Sequence, residues 1–129
     1  MKISIDFDGT LWSHMEFFRE FMAAMQNYGH EVGMLTAHSE NMRETDLALL
    51  ELRKFPVPDF WLGRPEEYQG ANSADFKSDV ILREGIDLHF DDCDFDNPET
   101  SQTFDEKLGP LAYKVIRVRH REPRNVHYE

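Results

Sequence analysis

The sequence predicts an α/β fold: a three-layer α/β/α sandwich, Rossmann-like, on a mainly parallel sheet of five strands. Two observations predict it. Short apolar runs alternate with stretches of helical periodicity along the whole chain. The first run, Met1 to Ile5, alternates large apolar with polar residues and delivers Asp6-Phe7-Asp8-Gly9-Thr10 into a turn, as a strand end does. The 129 residues suffice for one domain with one core, 1–129, and 40% apolar with 12% aromatic content is ordinary for a folded chain.

In chain order, a helix is expected from about His14 to Tyr28, with Phe17, Phe18, Phe21, Met22 and Met25 as a core stripe. Ser13 is its N-cap and Gly29 its stop. Glu31 to Ala37 reads as a second strand that ends in the hydroxyl of Thr36. A second helix spans roughly Ser39 to Lys54, carries Leu47, Leu50 and Leu52, and is closed off by Pro56 and Pro58. Asp59 to Gly63 is a third strand, and Arg64 to Asp75 a loop that fits a small lid or a plain connection. A third helix runs from about Phe76 to Glu84 with Lys77 at its front, and a fourth strand from Ile86 to Asp91. Residues 94–103 read as loop, a short helical turn covers Phe104 to Leu108, and Tyr113 to Arg119 is a half-exposed edge strand.

Composition narrows the function classes. No run approaches the roughly 18 apolar residues of a membrane span. The chain starts directly in a strand with no signal peptide ahead of it, and its single cysteine, Cys93, forms no internal disulfide, so a cytoplasmic location is expected. The net charge of −11, from 25 acidic against 14 basic residues, disfavours broad binding to nucleic acid. Lys114, Arg117, Arg119, Arg121 and Arg124 nevertheless crowd the end of the chain. They guard an edge strand, or form a basic rim for a phosphate-bearing partner.

The two aspartates at the first strand end repel each other unless a cation or proton lies between them. Thr36 closes the second strand, Lys77 stands alone, and Leu88 to Asp96 runs an apolar strand into an acidic loop containing Asp91, Asp92, Asp94 and Asp96. In these four motifs and their order the sequence resembles the haloacid dehalogenase superfamily of phosphotransferases. The resemblance implies strand order 3-2-1-4-5, which gathers the carboxyl ends of strands 1, 2 and 4 at the topological switch point. It implies a phosphohydrolase that cleaves phosphomonoesters through an aspartyl-phosphate. Asp6 is then the nucleophile, and Asp8 the acid for the leaving group and later the base for water. Thr10 braces the loop beside the phosphate. Thr36, the Ala37 amide and Lys77 bind the phosphoryl group.

The implied cofactor is Mg²⁺, held by Asp6, the Asp8 carbonyl and one of Asp91 or Asp92, with Asp92 preferred. Asp91 and Asp96 orient that shell and help hold Lys77. Asp94 is surplus and solvated. The six histidines form no pair at metal-ligand spacing. His38 is expected in a solvent-facing loop, His89 to be structural, and Cys93 to be unreactive among carboxylates.

Nothing between the motifs is long enough for the cap domain of larger family members. Capless relatives act on large substrates or close the site with a neighbouring subunit, so a homo-oligomer is one implied arrangement. The alternatives are a phosphatase acting on nucleotide or nucleic-acid ends, and a non-enzymatic module that binds phosphate or Mg²⁺. A response-regulator receiver is excluded by motif order, because here the acidic pair comes last.

Overall fold

The computed structural model of the chain describes residues 1–68, 70, 72–93 and 98–119. The elements run β1 (Lys2–Ile5), α1 (Met15–Asn27), β2 (Glu31–Ser39), α2 (Arg43–Leu52), β3 (Trp61–Arg64), α3 (Ser73–Arg83), β4 (Leu88–Asp91), α4 (Pro98–Leu108) and β5 (Val115–Arg117). The strands form one sheet in the order β3-β2-β1-β4-β5, every neighbouring pair parallel. The expected fold class and strand order therefore hold, with a sheet that is wholly parallel.

Helices cover both faces. Ile3, Ile5, Val32 and Met34 pack with Phe18 and Met22 of α1 and Leu50 of α2. Leu35 and Val115 pack on the other face with Ala74, Val80 and Ile81 of α3 and Phe104 and Leu108 of α4. Burial of both faces explains why Ser4, polar and central in β1, is fully buried. Among the described residues no helix is long and apolar enough to cross a membrane.

Several boundaries differ from expectation. The segment 98–103, expected as loop, is the first half of α4. Pro98 suits the first helical position, and Thr100, Phe104 and Leu108 are buried at spacings of four. Helix α3 begins at Ser73 rather than Phe76, because the Asn72 side chain accepts from the Ala74 and Asp75 amides as an N-cap. Ser13 does not cap α1. A 3₁₀ turn over Trp12–His14 intervenes, and His14 takes the cap position. Strand β2 continues to Ser39, past its expected end at Ala37. Strand β3 is displaced to Trp61–Arg64, since the Asp59 carboxylate accepts from the Val32 amide ahead of the strand. A 3₁₀ segment, Gly109–Lys114, consumes the start of the expected last strand and leaves three residues in β5. Phe17, expected in the core stripe of α1, is exposed.

Strands β2 and β3 approach closely at Gly33. A Cβ on Gly33 would collide with the Phe60 carbonyl oxygen and ring, and that carbonyl is fixed by the Met34 amide at 3.0 Å. Gly33→Ala is expected to destabilise the protein by about 1–3 kcal/mol, the usual cost of overpacking. Urea unfolding measures it, and an unchanged midpoint would mean that β3 moves aside without cost.

Candidate active site

Each strand end contributes through its local geometry. After β1 the chain makes one wide turn over Phe7–Leu11, closed by the Leu11 amide on the Asp6 carbonyl at 3.2 Å. The turn requires Gly9 in the left-handed region, φ 75°. It buries Thr10 beneath the two aspartates, where the Thr10 hydroxyl faces Asp6 Oδ2 at 3.1 Å and Asp92 Oδ1 at 3.4 Å.

The pairing of β2 with β3 slips between Leu35 and Ser39, which takes Thr36 and Ala37 out of the regular ladder. The Thr36 hydroxyl oxygen accepts from the His38 amide at 3.1 Å, so its proton is available to another acceptor. Lys77 lies one turn into α3 and is 3% exposed. Asp6, Asp8, Thr36, Ala37, Lys77, Asp91 and Asp92 line one cavity of about 70 Å³, together with Ser73. Residues from four elements thus meet as the sequence predicts. Asp94 and Asp96 lie outside the described residues.

Lys77 Nζ donates to Asp6 Oδ1 at 2.7 Å and to Asp91 Oδ2 at 2.8 Å, with all three groups buried. Burial works against the ammonium, but Asp6 and Asp91 outweigh it and keep Lys77 charged above its ordinary range. Burial would likewise push the Asp91 carboxyl up, yet Lys77 and the His89 N–H hold it below the usual carboxylate range. Asp6 is different. Burial, reinforced by the negative charge of Asp91, raises its pKa well above the ordinary value despite Lys77.

His89 pairs in register with Ser4 across β1 and β4. Its Nδ1 lies 2.7 Å from Ser4 Oγ and its Nε2 2.8 Å from Asp91 Oδ2. Burial lowers its pKa, so the ring is neutral, with Nε2–H donating to Asp91 and Nδ1 accepting from Ser4. His89 therefore fixes Asp91, and Asp91 fixes Lys77.

Carboxylate oxygens of Asp6, Asp91 and Asp92 lie within 4.8 Å of one another, all buried. Lys77 is shared by two of these carboxylates, and burial, reinforced by the charge of Asp91, keeps the Asp6 pKa raised in spite of it. An all-oxygen, net negative donor set of this kind fits a hard divalent cation such as Mg²⁺.

His38 is not the solvent-facing loop residue that was expected. With β2 extended, Thr36 and His38 fall on the same side of one strand, and His38 is half-buried. Its Nε2 meets Asp8 Oδ2 at 2.7 Å and its Nδ1 meets Asp46 Oδ2 at 2.8 Å. Asp46, 2% exposed on α2, also accepts from Trp61 Nε1 at 3.1 Å. Ionised carboxylates only accept, so both contacts are satisfied by the imidazolium. Hydrogen bonds to Asp46 and then Asp8 push the His38 pKa up to about 10. The sequence signal for this row is Asp46 itself, an acidic residue four before Leu50 on the buried face of α2.

Arg117 does not form a basic rim. It pairs with Asp105 at 2.9 Å and donates to Ser101 Oγ at 3.1 Å, which ties β5 to α4. Arg121 and Arg124 lie outside the described residues.

Comparison of the chain with protein-family models, with curated proteins and with solved structures finds no match. The chemistry of the site is therefore argued from its own atoms.

His38 carries a pH signature. Its folded-state pKa of about 10 exceeds the ordinary 6.5, so its contribution to stability is complete below about pH 6.5 and fades as pH rises towards 10. In EDTA, urea unfolding of the parent is expected to lose more stability across that window than His38→Gln loses. Parallel curves would show that the ring carries no charge between Asp8 and Asp46.

Proposed function

We propose that this chain is a Mg²⁺-dependent phosphohydrolase that cleaves phosphomonoesters through an aspartyl-phosphate, as members of the haloacid dehalogenase superfamily do. The observation that carries the reading is the buried Asp6 carboxylate, clamped by Lys77 at 2.7 Å and opening on a cavity of phosphoryl scale beside Thr36. A carboxylate held in that way is positioned for attack on an electrophile delivered to the cavity.

In the first step an Asp6 oxygen attacks phosphorus and the bond to the leaving oxygen breaks. Lys77, the Thr36 hydroxyl and the backbone around Ala37 receive the phosphoryl oxygens as charge builds on them. The leaving oxygen takes a proton from the His38–Asp8 pair, which holds one transferable proton between Nε2 and Oδ2. That transfer leaves neutral imidazole beside an ionised Asp8. In the second step water attacks phosphorus, its proton returns to the pair, and the bond to Asp6 breaks. Asp6, Asp92, Asp91 and the Asp8 carbonyl would hold Mg²⁺, which would supply charge neutralisation for the phosphoryl oxygens and favour the ionised form of Asp6. Asp91 is engaged by Lys77 and His89 through Oδ2, which assigns it mainly to orientation and leaves Asp92 as the stronger ligand.

Two experiments test this reading. Asp6→Asn is nearly isosteric, removes the nucleophile and relieves charge repulsion in the cluster. Phosphatase activity is expected to vanish while the Mg²⁺-free protein melts no earlier than the parent. Residual activity within about tenfold of the parent would remove Asp6 from the role of nucleophile.

Asp8→Asn separates the two steps. p-Nitrophenolate leaves without a proton, whereas an alkoxide needs one, and general acid help is worth about 10²- to 10⁴-fold. The variant is expected to release a burst of p-nitrophenol and then turn over slowly, while sugar phosphates show no burst. Equal losses for both substrates without a burst would mean that Asp8 acts through structure or metal binding instead.

A further inference from the structure

The cavity at Asp6, about 70 Å³, has the scale of a phosphoryl group and not of a whole ester. Small-molecule sites run to about 300–1,000 Å³. The remainder of a substrate must lie elsewhere, and one place adjoins. Ala37 and Ser73, which line the first cavity, also line a second of about 240 Å³, whose other walls are Arg64, Tyr68, Gly70 and Asn72. It lies where the ends of β2 and β3 meet the start of α3, and together the two cavities just reach the size of a small-molecule site.

The chemistry of the second cavity is uneven. Asn72 is spent, with Oδ1 on the Ala74 and Asp75 amides and Nδ2 on Thr103 Oγ1 at 3.0 Å. Tyr68 is held edge-on to Phe76, ring centres 5.6 Å apart, and runs along Gly70, so it presents ring surface. Among the described residues, Arg64 is the one charged group in the lining. Its Nε donates to the Ala37 carbonyl at 3.3 Å, which steadies the guanidinium, and its Nη groups meet no acceptor among the described residues. Lys77, Lys107 and Arg117, by contrast, are each engaged by carboxylates. A planar guanidinium with its fork open matches a phosphate or carboxylate through two parallel hydrogen bonds.

We infer that this second cavity receives the alcohol part of the substrate, and that this part carries a second anionic group held by the Arg64 fork. The substrate is then a bisphosphate or a phosphocarboxylate whose carbon frame lies along Tyr68. The assignment of which end enters which cavity rests on the phosphohydrolase reading. The binding preference itself does not.

The test uses equilibrium binding, so it does not depend on turnover. Asp6→Asn protein in Mg²⁺ is titrated calorimetrically with two matched pairs: fructose 1,6-bisphosphate against fructose 6-phosphate, and 3-phosphoglycerate against glycerol 3-phosphate. The doubly anionic member of at least one pair is expected to bind about tenfold tighter. The pair that responds tells whether phosphate or carboxylate is the second anion. Adding Arg64→Gln is expected to erase that ratio and leave the singly anionic ligand within about twofold, while Arg64→Lys, which keeps the charge but loses the fork, retains part of it. Thermal melts of each variant establish that it is folded. Ratios near one in both pairs with Arg64 present, no binding of any of the four ligands, or a ratio that survives Arg64→Gln would each overturn the inference. Absent turnover of every ester with the Arg64-dependent ratio intact would instead sink the phosphohydrolase reading and leave the anion cavity standing.

Discussion

The ammonium of Lys77, buried between Asp6 and Asp91, is the interaction on which the rest of the structure depends. A charge removed from water is tolerated only where partners are fixed at hydrogen-bond distance, and here the partners come from separate parts of the chain. Asp6 follows β1, Asp91 ends β4, and Lys77 sits in α3. The cluster closes only if β1 and β4 are neighbours and α3 crosses the same face of the sheet. The strand order satisfies the first condition, and the packing of α3 with Leu35 satisfies the second. His89 and Ser4, paired across those two strands, then hold Asp91 from behind. The sheet and the ion cluster therefore specify each other. Burial and the charge of Asp91 together leave Asp6 with a raised pKa even beside the ammonium.

The opening pair of aspartates illustrates how two identical groups are given different surroundings. Asp6 is 6% exposed, fixed by an ammonium and by a hydroxyl beneath it. Asp8, two residues on, has a side chain one-third exposed and is held by an imidazolium. Gly9 makes the separation, since its left-handed turn sends the chain down behind Asp6 while Asp8 stays at the mouth. A buried carboxylate that cannot reorient suits attack. One at the edge of solvent, hydrogen-bonded to a proton-bearing ring, suits proton transfer. The row Asp46–His38–Asp8 extends that second environment into the core through α2 and Trp61.

The parts of this architecture that were legible in the sequence are those carried by short-range pattern. Alternation of strand and helix, the turn at Gly9 and the acidic strand ends each announce themselves within a few residues. The sheet order is implied by a resemblance, and the observed order β3-β2-β1-β4-β5 agrees with it. What escaped depends on tertiary contact. Residues 98–103 are poor in helix formers, and their helix continues into Phe104 and Leu108, which pack with α3, with Thr100 buried one turn earlier. His38 was read as loop because β2 was ended at Ala37. The two further residues exist as strand because Ser39 regains register with Arg64 after the slip. Arg117 looked like surface charge, and only the placement of α4 supplies Asp105 as its partner. The resemblance prefers Asp92 to Asp91 as the metal ligand. The structure adds that Asp91 lies on the side of His89 while Asp92, beyond the strand, faces Thr10, and that both carboxylates belong to the acidic cluster.

The slip between β2 and β3 has a consequence beyond His38. A regular ladder through Thr36, Ala37 and His38 would engage these residues with β3 and seal the strand end. The irregular stretch instead lines the phosphoryl-scale cavity with Thr36 and Ala37 and gives the Ala37 carbonyl to Arg64. One local defect thus sets the inner wall of the first cavity and the orienting contact of the second. Rim contacts of this kind would supply part of the transition-state binding energy of the proposed reaction, by gripping the remote part of a substrate. In the proposed reaction, an anion seated on Arg64 would draw the ester towards Asp6 through the Ala37 junction. The same short stretch of backbone would then couple recognition of the leaving group to placement of the phosphorus.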